Sequence, residues 1–278
     1  MKFACGWKRL KNWIEQRAAG RDQTVVCVCG MHRSGTSMVS QLLSRCGVYM
    51  GPEKVLTVSA PDNRDGFWED DAFVKLNDEI LRHFSGGWDS PPLLEQGWEK
   101  SPTLRSIRRC GKKLIRERRN LRIWGWKDPR SSITLSFWKR LIPGLKVVVC
   151  LRHPWEVARS LHRRNELPIP GGLALWRTYQ CSLLAAAAPS ERIITHYDSH
   201  FADPGAEIAR IADFLALPQS QALANELSTT CKDYLRNNRF DNGSPDAFLP
   251  RPIADLYSEM CGQAGPVYRK TTHPISTG

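Results

Sequence analysis

The chain has 278 residues, 41% hydrophobic and 24% charged, a balance that excludes a disordered or fibrous protein and suffices for one large α/β core. Its net charge of +12 favours anionic partners without choosing among nucleotides, phosphates, acidic polymers and membrane surfaces. No run of 18 apolar residues occurs, so no transmembrane helix is expected, and nine cysteines without metal or disulfide spacing point to a reducing, cytoplasmic compartment and to no metal site.

In chain order, residues 1–20, "MKFACGWKRLKNWIEQRAAG", are basic and amphipathic and lack the apolar core of a secretory signal. They read as a leading helix or extension, with peripheral contact to a membrane surface as the alternative. "TVVCVCG" is a short β-branched run ending in glycine, a buried parallel strand by pattern, in which Cys27 and Cys29 behave as small core residues. "TSMVSQLLSRCG" then places Val39, Leu42, Leu43 and Cys46 at helical spacing, with Gly47 as a C-cap. A helix is expected over "DDAFVKLNDEILRHF" and a strongly basic one over 106–119. "LRIWGWKDPR" reads as a strand running into a polar turn, and "LKVVVCLRHP" as the clearest strand, stopped at Pro154 where the helix "PWEVARSLHRR" begins. "ERIITHYD" is a further strand and "DPGAEIARIADFLAL" an amphipathic helix; beyond about residue 235 the Pro/Asn/Gly content predicts irregular structure. Strands alternating with helices predict an α/β fold, a P-loop-type doubly wound parallel sheet flanked by helices.

Between the first strand and helix lies "GMHRSGTS", residues 30–37. It keeps the two glycines of the phosphate loop G-x-x-x-x-G-K-[ST], at Gly30 and Gly35, and the final hydroxyl at Ser37. Thr36 stands where the lysine that grips the outer phosphates would be. Backbone N–H groups at a strand-to-helix turn still make an anion nest aided by the helix dipole. Arg33 supplies a charge, and Ser34, Thr36 and Ser37 supply hydroxyls. This suits a 5′-phosphate whose outer group is not a phosphate chain with Mg²⁺. A second constellation follows in "LRHPWEVARS". Arg152 ends a strand and Ser160 lies eight residues later in the next helix, where the two can converge on one extra phosphate.

Together these residues resemble the PAPS-dependent sulfotransferases. "MHRSGTS" is similar to the P-R-S-G-T-T of the tyrosylprotein and carbohydrate branch. "WKDPRSS" followed by "FWKRLIPGLKVVVCLRHPWEVARSL" is similar in order and spacing to that branch's K-D-P … R-x7-S stretch, and "HYDSHFADPGAEIARIADFLAL" resembles the Y-E-x-L … F-L-G-L region. His32 replaces the usual proline, and Arg152-His153-Pro154 replaces R-D-x. The resemblance implies a single sulfotransferase domain over 21–278 with helical acceptor-side insertions. It implies that His32, Arg33, Ser34, Gly35, Thr36 and Ser37 bind the 5′-phosphosulfate of 3′-phosphoadenosine-5′-phosphosulfate (PAPS) and that Arg152 and Ser160 bind its 3′-phosphate. The products are then 3′,5′-ADP and a sulfated hydroxyl, with no metal. PAPS has no triphosphate for a loop lysine to grip, which accounts for Thr36.

In such a reaction a hydroxyl attacks sulfur in line and the bridge oxygen leaves with negative charge. Arg33 and Lys127 are the candidate cations for that oxygen. The resemblance implies Lys127, placed by the turn at Asp128-Pro129 at the rim of the cleft, with an ion pair to Asp128 or Asp65 as its structural alternative. For the base, Glu69 is preferred, beside Phe67 and Trp68, and Glu53 is its rival; His32 and His153 border the cofactor site. Of ten tryptophans, those at 68, 88, 98, 124 and 126 fall near the acceptor side, where indole faces can stack on sugars, and this favours a carbohydrate acceptor over tyrosine or a small phenol. Two other classes remain open. A P-loop small-molecule kinase requires a loop lysine, and a nucleic-acid-binding protein requires aromatics among its basic residues. "RRCGKKLIRERR" has none, so a solvated face or guidance of an acidic acceptor is expected there.

Overall fold

The structure, a computed structural model, describes residues 23–52, 56, 66–217 and 249–272. Strand β1 is Thr24–Gly30 and helix α1 is Thr36–Arg45; α2 (Asp71–His83) and α3 (Arg105–Glu117) precede β2 (Ile123–Lys127) and α4 (Ser131–Leu141). Then follow β3 (Lys146–Leu151), α5 (Pro154–Asn165), α6 (Ile169–Ala186), β4 (Arg192–His196), the short α7 (Ser199–Ala202), α8 (Pro204–Phe214), α9 (Arg251–Gly262) and α10 (Pro266–Thr272). The strands form one sheet in the order β2-β1-β3-β4. Pairing is parallel, with Val28 opposite Lys127 and Leu151 opposite His196. The valine-rich strands are buried almost end to end, as a sheet covered on both faces requires. The expected leading helix lies outside the described residues.

The chain divides into two compact units, one comprising residues up to Val28 with Ser37–Lys146, the other Cys29–Thr36 with Val147 onward. In the first, an aromatic cluster forms the core. Phe73 of α2 stacks on Trp126 of β2 at 4.5 Å, and Trp138 of α4 packs on both at 4.9 and 5.1 Å. Gly125 between Trp124 and Trp126 lets strand β1 approach, since a Cβ there would lie 2.3 Å from the Val26 carbonyl oxygen. Trp124 and Trp126 are fully buried, so they are core residues and cannot stack on a sugar. Helix α3 turns Ile107 and Gly111 inward and exposes Arg105, Arg109, Lys112, Lys113 and Arg116.

In the second unit, α5 begins where the sequence predicts, with Pro154 in its first turn and the His153 imidazole capping the Trp155 N–H at 3.2 Å. Helix α6 has no counterpart among the elements expected from the sequence. The helix forms because Leu173, Trp176, Tyr179, Gln180 and Leu183 bury one face, while Gly172 lies against Ala158 of α5, where a Cβ would come within 3.0 Å. The chain past 235 was expected to be irregular, and for residues 251–272 that expectation is corrected. Pro250 and Pro252 sit at a helix start, where proline is tolerated, and Ile253, Tyr257 and Met260 bury a helical stripe. No described helix is long and apolar enough to cross a membrane.

Candidate active site

The carboxyl ends of β1 and β3 carry the first constellation, within the second unit. Gly30, at φ 134°, backs onto β3 so closely that a Cβ would lie 2.4 Å from the Cys150 carbonyl oxygen. The chain then turns through Met31–Gly35, with the Ser34 N–H donating to the Met31 carbonyl at 3.2 Å, and enters α1 at Thr36. Gly35 (φ 88°) and Arg33 (φ 69°) take left-handed backbone conformations, which cost a non-glycine residue on the order of 1 kcal/mol or more. Ser34 is 1% exposed, and its hydroxyl has no protein hydrogen-bond partner among the described residues. A buried donor beside a helix N-terminus and a close-backed glycine turn fits a phosphate or sulfuryl oxygen. His32 packs edge-on against Tyr179 of α6 at 5.8 Å.

Loop and R-x7-S pair are joined. Arg33 donates from Nε to the Ser160 hydroxyl at 2.9 Å, and Arg152 donates from Nη1 to the Arg33 carbonyl at 3.2 Å. Three supports of Arg152 carry no signature in the sequence motif. Glu156 accepts from its Nε at 2.9 Å, the Tyr197 ring lies 4.1 Å beneath its guanidinium carbon, and the Trp176 indole donates to its carbonyl at 3.3 Å. Tyr197 follows from strand register: Leu151 lies opposite His196, so the next residues, Arg152 and Tyr197, leave the sheet side by side. Trp176 lies on the helix that sequence reading missed.

The second constellation lies in the first unit. Lys127 ends β2 with its side chain only 2% exposed, a correction to the rim position expected for it. Its ammonium donates to Glu69 Oε1 at 2.7 Å. Its partner is thus Glu69 rather than Asp128; Asp65, the other partner considered, lies outside the described residues, as does Glu53. Arg130 Nη1 stands 3.9 Å from Glu69 Oε2 and 3.0 Å from Asp128 Oδ1, and Asp78 Oδ1 lies 2.7 Å from its Nε, off the N–H line. Burial pushes the fully buried Asp128 carboxyl upward, although Arg130 and Asn77 hold part of its charge. Burial works against the charge on Arg130, but Asp128, Asp78 and Glu69 outweigh it and raise its pKa. Ser37 donates to the Phe67 carbonyl at 3.0 Å, tying the first turn of α1 to the segment that carries Glu69.

A sequence model described as the Sulfotransferase family matches residues 26–221. No curated protein matches the chain. Among solved structures it is similar to the sulfotransferase domain of the Synechococcus PCC 7002 olefin synthase, at 18% identity and TM-score 0.53, over 87% of this chain and 96% of that one. It is also similar to the sulfotransferase domain of the curacin biosynthetic pathway, at 16% identity and TM-score 0.51, over 88% of this chain and 98% of that one. At these identities the likeness is one of fold.

Proposed function

The chain belongs to the sulfotransferase family, and on that premise we propose that it moves the sulfuryl group of PAPS to an acceptor hydroxyl by in-line displacement. The observation that carries this reading is the hydrogen bond of Arg33 to Ser160, with Arg152 on the Arg33 carbonyl, which unites a lysine-less phosphate loop with a second anion subsite. Bound PAPS supplies the sulfuryl group and 3′,5′-ADP as the leaving group. The backbone N–H groups of His32, Arg33, Gly35, Thr36 and Ser37 and the Ser34 and Thr36 hydroxyls hold the 5′ side, while the Ser37 hydroxyl stays donated to Phe67. Arg152 and Ser160 hold the 3′-phosphate. Lys127 meets the negative charge that builds on the bridge oxygen, with Arg33 as the second cation. Glu69 takes the acceptor proton, and Glu53 remains its rival.

A carbohydrate acceptor stays the favoured class, on three tryptophans rather than five. Trp68, Trp88 and Trp98 keep the partial exposure that stacking on a sugar requires. The assignment of residues 21–278 to one catalytic domain belongs to the same proposal, as does a reducing compartment, which the free thiols of Cys27, Cys29, Cys46, Cys110, Cys150, Cys181 and Cys261 support.

The test is stabilisation by ligand. At 100 times its dissociation constant, 3′,5′-ADP should stabilise the fold by about 2.7 kcal/mol, read as a rise in melting temperature, and ATP with Mg²⁺ by much less. Equal stabilisation by the two would favour a phosphotransferase instead.

A further inference from the structure

Glu69 does not face one cation but two. Lys127 holds its Oε1 at 2.7 Å, and Arg130 stands 3.9 Å from its Oε2. If Lys127 turns its charge to a leaving oxygen, Glu69 loses its nearer partner in mid-reaction. Arg130 is placed to remain. Asp128 accepts at one oxygen from both the backbone N–H and Nη1 of Arg130, each at 3.0 Å. The other oxygen of Asp128 accepts from Asn77 Nδ2 at 2.8 Å. Asn77 is itself fixed: its Oδ1 accepts from Thr134 at 2.6 Å and from the Trp138 indole at 2.8 Å, and its Nδ2 also reaches Ser131 at 3.1 Å. Asn77 and Asp128 are both fully buried. The guanidinium therefore hangs from a rigid hydrogen-bonded frame, with Asp78 on its outer side.

We propose that Arg130 is the positioning residue for Glu69: it holds the carboxylate in register for the acceptor hydroxyl while Lys127 attends to the leaving group. This rests on the sulfotransferase reading above. Each cation then has one task. Asp128, next to Lys127 in sequence, serves Arg130 and not the lysine.

The test is a set of variants of the full chain, assayed as conversion of labelled PAPS to 3′,5′-ADP with the best acceptor from a panel of sugars, phenols and a tyrosine peptide. Arg130→Gln should lower kcat about 10- to 100-fold, the scale of loss for a misplaced reacting group, with 3′,5′-ADP affinity by calorimetry within about twofold of wild type, as expected of a group that makes no ground-state contact to the nucleotide. Arg130→Lys should restore much of the rate. In a Glu69→Gln background the same Arg130→Gln change should have almost no further effect on kcat, because its action passes through Glu69. Without any nucleotide, Arg130→Gln and Glu69→Gln should likewise be non-additive in melting temperature. Full kcat in Arg130→Gln, or equal losses in both backgrounds, would overturn the proposal while Lys127→Ala and Glu69→Gln still impair turnover. If neither of those two impaired turnover, the catalytic assignments themselves would fail, and this inference with them.

Discussion

Arg33 reaches from the phosphate loop to the Ser160 hydroxyl, 127 residues further along the chain, at 2.9 Å. Sequence reasoning gives these residues separate duties, one at the 5′ side and one at the 3′-phosphate. The bond makes them one device, and the left-handed backbone of Arg33 is held in place partly by it and by Arg152 on its carbonyl.

Coupling between the two is the first expectation. Ser160→Ala should weaken 3′,5′-ADP binding by about 0.5–1.5 kcal/mol, the net value of one hydrogen bond, and Arg33→Ala by about 1.5–3 kcal/mol, the value for a charged group. The double variant should fall short of the sum by at least about 0.5 kcal/mol in calorimetry, since the side chains touch. Strict additivity would mean that the loop and the helix subsite work independently.

Lys127 allows a sharper division between binding and rate. It is buried and paired to Glu69, so Lys127→Ala removes a structural ion pair as well as the charge proposed to meet the leaving oxygen. Turnover at saturating PAPS should drop by about 10²–10³, as for loss of one charge-stabilising donor. Affinity for 3′,5′-ADP should change by less than about 1 kcal/mol, because the interaction strengthens only as charge develops. Lys127→Met, which keeps the stem in its buried slot, should lose rate equally with a smaller fall in melting temperature. A large loss of 3′,5′-ADP affinity with unchanged turnover would make Lys127 a binding residue.

Stability should depend on pH through two buried imidazoles. Burial lowers His196 to about 3 and His200 to about 4, against an ordinary value near 6.5. Both are wired as neutral rings. His196 Nδ1 accepts from the Asp198 N–H, leaving Nε2–H to donate to Tyr257, and His200 donates to a Thr195 hydroxyl that is committed to Glu207. Between pH 6.5 and those lowered values the unfolded chain binds the extra protons, so stability rises with pH there and falls on acidification. Each histidine contributes up to about 1.4 kcal/mol per pH unit. Urea unfolding at pH 6.5 and 5 should therefore differ by roughly 1.6 kcal/mol per histidine, and His196→Gln should flatten that slope. A pH-independent midpoint in wild type would show that neither ring stays neutral on folding.

Much of this architecture is legible in the sequence because local pattern and global role agree. The valine runs of β1 and β3, the glycine turn at 30–35 and the proline start of α5 each have one low-energy solution. Helices α4, α6 and α9 have no counterpart among the expected elements, although Pro129, Pro170, Pro250 and Pro252, of a residue type that breaks a helix interior, each lie at or just before a helix start, where proline is tolerated. Motif spacing singles out Lys127, Arg152 and Ser160 as candidates but not Glu156, Tyr197 or Arg130. Glu156 pairs with Arg152 at i,i+4 within the quoted stretch and could have been found from that spacing, whereas the contacts of Tyr197 and Arg130 run across strands and helices and have no linear signature. The tryptophans mislead for a related reason: indole is as good a core residue as a sugar platform, and the stacking of Phe73 on Trp126 puts β2's indoles in the core.

On the proposed function, the nucleotide site is built for a 3′-phosphate, as PAPS requires and ATP does not. Calorimetric titration of 3′,5′-ADP and 5′-AMP into the same protein tests it most directly. Wild type should bind 3′,5′-ADP more tightly by about 2–4 kcal/mol, the size of a charge-assisted phosphate contact, and Arg152→Ala should abolish most of that difference, with 5′-AMP affinity falling by less because Arg152 also supports the Arg33 carbonyl. Equal affinity for the two nucleotides in wild type would contradict the account.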